Sequence, residues 1–214
     1  MHWYNYINTG LLTVIWIFIL LNIRIFSKGR EFWLLFLAIY SLTEFISLPL
    51  EIKGINNLWL YNISKPLQFF SLLLYFTKLL NLKKSYKILI LILSVLLCLA
   101  FLFITKITQY NSLSDIIFSC IILIFCAVYF YRIIRTDEYI PLSLSEFWIC
   151  TSLFVFFVTN LCINGALNFL LETHFALARK LFYVLVYNSI IFYLLTIYAL
   201  LSIRLNYIKQ GNGR

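Results

Sequence analysis

Residues 88–105 read ILILILSVLLCLAFLFIT. Apart from Ser94, Cys98, Ala100 and Thr105, every position is Leu, Ile, Val or Phe, and none is charged. At about 1.5 Å per helical residue, such a run covers most of a hydrocarbon core about 30 Å thick. Working outward, similar runs recur on both sides. Spans are expected at about 9–27, 32–50, 58–80, 88–105, 113–134, 147–171 and 181–203, from the requirement of roughly 20 apolar residues per crossing. The connections between them leave no room for a separate soluble domain, so residues 1–214 form a single transmembrane domain on this reading. Hydrophobic residues make up 63% of the 214 and charged residues 12%, against about 45–50% and about 25% in soluble domains. The predicted fold is all-α: a polytopic membrane bundle of seven transmembrane helices. Its fourth span, almost devoid of polar groups, is expected to face lipid over much of its surface.

The net charge of +9 is distributed in short clusters between the spans. That pattern points to topology rather than nucleic acid, and no direct nucleic-acid binding is expected. With the N-terminus outside and the C-terminus in the cytoplasm, twelve Lys and Arg fall on cytoplasmic segments, including Lys78, Lys83, Lys84 and Lys87. Four fall outside: Lys53, Lys106, Arg179 and Lys180. Trp3, Tyr4, Trp33, Trp59, Tyr61 and Trp148 lie near span ends, where amphipathic rings favour the interface. The first eight residues contain no Lys or Arg, so a cleavable signal peptide is not expected.

Cys98, Cys120, Cys126, Cys150 and Cys162 lie in or beside apolar runs with no Cys-x-x-Cys pair. They read as small packing residues, not as a disulfide framework or metal site. The two histidines, His2 and His174, cannot build a His-rich metal centre, and Glu172 with His174 is a poor metal motif. Nucleotide-binding and serine-hydrolase motifs are missing. The last span has no mid-depth lysine for a retinal Schiff base. No cofactor, metal or catalytic residue is expected, and the chain is not expected to be an enzyme.

The polar residues inside spans carry the remaining information. Tyr40, Glu44, Ser47 and Glu51 share one helical face, as do Tyr61, Ser64, Lys65 and Gln68. Asn160, Asn164 and Asn168 form a ladder spaced by four, and Tyr183 and Tyr187 share a face beside Asn188. Glu44 lies roughly 12 Å and Lys65 roughly 10 Å below the outer face, at 1.5 Å per residue. An unpaired charge there costs at least about 2.5–3.5 kcal/mol, so Lys65 is expected to pair with Glu44 or Glu51. Pro66 should kink the third span by removing a hydrogen bond to Asn62. Two readings are open. Spans two, three, six and seven enclose an outward-facing ligand cavity lined by Glu44, Lys65, Gln68, Asn160, Asn164 and Tyr187, or the same residues are interhelical packing contacts.

Glu31-Phe32-Trp33 opens span two and Glu146-Phe147-Trp148 opens span six, while Tyr61-Asn62 and Tyr187-Asn188 echo in spans three and seven. This allows a 3+1+3 parallel repeat of the kind some transporters use, although an acidic, aromatic helix start also suits any cytoplasmic interface. The stretch Leu58-Trp59-Leu60-Tyr61-Asn62-Ile63-Ser64-Lys65-Pro66-Leu67-Gln68-Phe69-Phe70, with Glu146-Phe147-Trp148-Ile149, resembles the third and sixth spans of small, uncharacterised bacterial seven-span proteins. Those proteins resemble membrane input modules of bacterial signalling systems. The resemblance implies a bacterial cytoplasmic-membrane protein with a sensory or accessory role, including one in an antiphage or CRISPR-associated system. It would act through a separate protein partner at the cytoplasmic side or within the bilayer. The alternative is a small-solute transporter or channel built from two three-helix halves.

Overall fold

The computed structural model describes residues 3–104, 112–135 and 144–211. His2, Thr105, Lys106 and Arg214 lie outside them, as do the side chains of Trp3, Tyr4, Asn168, Leu171, Glu172 and Arg179. Among the described residues the chain is all-α. Its helices are α1 (Trp3–Leu21), α2 (Ile23–Phe26), α3 (Glu31–Ile52), α4 (Leu58–Leu79), α5 (Lys84–Ile104), α6 (Ser112–Arg135), α7 (Ser145–Thr173) and α8 (Phe175–Gly211). Stretches of α3, α5, α6, α7 and α8 are long and apolar enough to cross a membrane, which makes this a helical membrane protein. The apolar stretch of α1, Tyr6–Leu21, is shorter. The 22-residue α4 is diluted by Asn62, Lys65 and Gln68.

The helix boundaries depart from the sequence expectation in three places. α1 stops at Leu21 rather than running to 27, because Asn22 leaves helical geometry (φ −130°, ψ 25°) and turns its side-chain amide onto the Phe18 carbonyl at 3.1 Å. Such local side-chain bonds compete with the helix ladder. α7 and α8 are separated by His174 alone (φ −144°, ψ 72°). Residues 175–180, expected as part of an outer loop, are helical; their Ala, Leu, Arg and Lys are good helix formers. α8 has 37 residues, or about 55 Å of helix, well beyond the thickness of a hydrocarbon core.

The chain divides into two compact units. One holds α3, α4, α5 and the start of α6 through Phe118; the other holds α1, α2, the rest of α6, α7 and α8. This grouping is not the 3+1+3 division that the sequence echo allows.

In the first unit α3 and α4 form a hairpin whose turn is written in the sequence. Gly54 takes φ 66°, and its N–H bonds to the Glu51 carbonyl at 3.0 Å while that of Ile55 bonds to Leu50 at 2.9 Å. These are the paired bonds that close a helix end around a left-handed residue. The end of α4 repeats the device with Asn81 (φ 44°), bonded to Lys78 at 3.1 Å, and Leu82, bonded to Thr77 at 3.3 Å. α4 runs unbroken through Pro66. Trp33, Phe36 and Leu37 of α3 and Leu72, Leu73 and Phe76 of α4 are buried. Trp33 is therefore a core residue and not the interfacial anchor expected. Phe118 stacks on Phe69 at 4.2 Å and meets Phe101 edge-on at 5.5 Å, which joins α4, α5 and the start of α6. α5 packs on α4, and leaves Ile88, Ile92, Leu93, Val95, Leu96 and Leu99 exposed.

In the second unit α7 and α8 are the main pair. Trp148 meets Tyr198 at 4.4 Å and Phe156 meets Phe192 at 4.8 Å. Phe130 of α6 packs edge-on against Phe147 and Phe154. α1 lies on α8 and buries Leu12, Ile15 and Ile19 completely, a stripe with helical spacing. The Arg204 guanidinium lies 5.7 Å from the centre of the Phe18 ring. Lipid is as apolar as these side chains, so van der Waals fit and interhelical hydrogen bonds carry the packing.

Candidate functional site

Several polar residues of the first unit converge on the Gly54 end of the α3–α4 hairpin. The short connection 53–57 keeps the two helices adjacent, so residues just before Gly54 face residues just after it. Asn57 donates from Nδ2 to Ser47 Oγ at 2.6 Å. The Tyr61 hydroxyl lies 3.0 Å from Ser47 Oγ and 3.3 Å from Glu44 Oε1. A phenol has one proton to give. Spending it on the carboxylate lets Ser47 donate to the tyrosine oxygen while accepting from Asn57. The bonds then run in one direction, from the Asn57 amide through Ser47 and Tyr61 to Glu44. Each donor polarises the next, which strengthens such a chain in a low-dielectric setting.

Lys65, one turn further along α4, meets Asp115 in the first turn of α6 at 2.6 Å. Asp115 is thus an ion-pair partner of Lys65 that the sequence expectation did not name, and the Glu44 carboxylate takes Tyr61. Asp115 stands at a helix N-terminus, where a carboxylate is favoured by the helix dipole, so one side chain serves both the lysine and the helix end. The pair is mostly shielded, with 23% of the lysine and 10% of the aspartate side chain exposed. Gln68 is held by its own helix, donating to Ser64 Oγ at 3.4 Å, and Ser64 in turn donates to the Tyr61 carbonyl at 3.3 Å.

Of the six residues proposed from sequence, Glu44, Lys65 and Gln68 stand in the first unit; Asn160, Asn164 and Tyr187 stand in the second. Asn164 is buried and Asn160 half-buried. Tyr187 is exposed, while its neighbour Asn188 is buried and donates from Nδ2 to the Phe156 carbonyl at 3.0 Å. The inward-turned residue of that dipeptide is thus the asparagine. Sequence reasoning passed over Asp115 and Asn57. Asp115 had a readable signal: it is an acid in the opening turn of an apolar helix.

Among the described residues no group of His, Cys, Asp or Glu side chains gathers as a metal site, and the five cysteines are free thiols. No protein-family model, curated protein or solved structure matches the chain.

Proposed function

We propose that the chain is a non-enzymatic subunit of a bacterial cytoplasmic membrane, a sensory or accessory protein acting through a separate protein partner. It crosses the membrane seven times, N-terminus outside and C-terminus inside. Seven of the helices have 19 residues or more, and the Lys and Arg bias of the sequence sets the direction. α4 crosses despite its polarity because its charge and hydroxyls find partners on α3 and α6.

The observation that carries the reading is the hydrogen-bond chain from the outer-loop residue Asn57 to Glu44 within α3. It links the connection between α3 and α4 to a carboxyl group in the span. An event at the outer loop would act on Glu44 and hence on how α3 and α4 pack. Transport is less favoured, because the polar groups of the first unit are engaged with one another and the compact units do not follow two three-helix halves.

The test is partner retention. The full chain is purified from native membranes in a mild detergent, and the co-purifying protein is identified and re-assembled with it. Tyr61→Phe, which cuts the chain of donors and leaves the ring, should shift the affinity for that partner while Lys209→Gln does not. A chain that alone carries solute or ion flux in proteoliposomes, with flux abolished by Glu44→Gln, would overturn the proposal in favour of transport.

A further inference from the structure

The turn between α4 and α5 gathers three lysines. Lys83, Lys84 and Lys87 fall within five residues, and the first turn of α5 holds no acid. Lys78, at the end of α4, is engaged with Glu31 at 2.7 Å. Among the described residues no carboxylate pairs with Lys83, Lys84 or Lys87. Lys83 and Lys84 are exposed and Lys87 is half-buried. Their position adds to the repulsion: cations are disfavoured at a helix N-terminus, whose peptide dipoles already carry partial positive charge.

The turn is fixed by its backbone. Asn81 holds the left-handed conformation, its N–H and that of Leu82 close the end of α4, and the Lys87 N–H bonds to the Lys83 carbonyl at 3.1 Å. The lysines are therefore displayed from a set position. Directly along the helix from Lys84, at spacings of four, four, three and four, stand Ile88, Ile92, Val95 and Leu99, exposed by 48%, 53%, 44% and 45%. Tyr86, also exposed, lies at the level of the lysines, where a phenol suits the polar–apolar boundary.

A cationic head continuous with a long apolar stripe matches one kind of molecule. We propose that the α4–α5 turn and the outward face of α5 form a binding surface for an anionic phospholipid, phosphate on Lys83, Lys84 and Lys87 and acyl chain along the Ile88–Leu99 stripe. A soluble anion would use the lysines and leave the stripe without a role. The apolar face explains why the site belongs to a lipid, and the charge explains why it prefers an anionic one.

The experiment uses the full chain in nanodiscs of phosphatidylcholine with a minor fraction of phosphatidylglycerol, examined with spin-labelled lipids and by native mass spectrometry of retained lipid. Orientation does not affect the result, since both leaflets carry the same mixture. Wild type should retain phosphatidylglycerol over phosphatidylcholine. Each lysine-to-glutamine change should weaken that preference by up to roughly fivefold, from the attraction of one basic residue near an anionic surface. K83Q/K84Q/K87Q should abolish it, and K83R/K84R/K87R should keep it. Lys53→Gln, at the other end of the hairpin, should change nothing. The proposal is overturned if the glutamine triple variant keeps the wild-type preference. It is equally overturned if wild type shows no preference, or if millimolar inorganic phosphate displaces the retained lipid as readily from wild type as buffer removes it from the triple variant.

Discussion

The contact between Lys65 and Asp115 offers the sharpest test of how the first unit is held. At an effective dielectric constant of about 20, two unit charges about 4 Å apart attract by about 4 kcal/mol. Desolvation of both groups offsets much of this, so the net value of the pair is smaller than the cost of breaking it. Removing one partner from a fully buried pair costs about 3–5 kcal/mol, and exposed pairs are worth about 0–1 kcal/mol. With 23% of the lysine and 10% of the aspartate side chain open, Asp115→Asn and Lys65→Met should each destabilise by about 2 kcal/mol, between those limits. Asp115→Asn also loses about 0.3–1 kcal/mol of helix-dipole stabilisation, which the double variant loses too. The double change should therefore cost less than the sum of the singles by about 1–2 kcal/mol. The assay is reversible unfolding in mixed micelles, followed through the native tryptophan signal, for wild type, both singles and the double. If the two singles add without coupling, the ion pair does not hold α4 to the start of α6, and the reasoning is refuted.

Three further outcomes follow from particular residues. Gly54→Ala should destabilise by about 1 kcal/mol or more in the same assay, because φ 66° is strained for an L side chain, whereas Gly10→Ala should be neutral or stabilising, with open space around it and a helical backbone. An equal effect at both positions would count against the left-handed turn. Asn188→Ala should cost only about 0.6 kcal/mol, the average for an interhelical hydrogen bond in a membrane protein, and a loss of several kcal/mol would show that the asparagine does more than bond to Phe156. Cysteines placed at Lys53 and at Lys84 should react with a membrane-impermeant thiol reagent from outside only and after permeabilisation only, respectively; the reverse pattern would invert the topology.

Most of the helical pattern was legible because a bilayer leaves few alternatives. Backbone groups in hydrocarbon must be satisfied within the segment, so a long apolar run is read as a helix. The runs behind α3, α5, α6 and the middle of α8 show this directly. Helix ends outside the hydrocarbon carry no such constraint. The break at Asn22 and the extension of α8 to Gly211 were accordingly missed, since both depend on local hydrogen bonding and propensity. Helix faces were also hard to read. Residues against lipid and residues against protein are both apolar, so Trp33 could be assigned to the interface when it is fully buried. Tyr187 and Asn188 were both polar and adjacent, and only the rotation of α8 against Phe156 separates them. Asp115 as a partner of Lys65 was passed over for a related reason. Sequence proximity drew the reading to Glu44 and Glu51 on the neighbouring span, whereas Asp115 is fifty positions away.

The same degeneracy explains why a few polar contacts matter more here than their individual energies suggest. A leucine on α5 gains nearly as much from an acyl chain as from a neighbouring helix, so dispersion alone does not fix which face turns inward. A lysine or a carboxylate has no such freedom, because facing lipid without a partner costs several kcal/mol. In the first unit the contact of Glu44 with Tyr61 and that of Ser47 with Asn57 set the rotation of α3 against α4, and the Glu31–Lys78 pair marks the opposite end of the same seam. The Lys65–Asp115 pair then ties α4 to a helix fifty positions away in sequence. Aromatic contacts of Phe69, Phe101 and Phe118 fill the space once that alignment is set. α4 is the least apolar of the helices in this unit, and its polar residues are what orient the others around it.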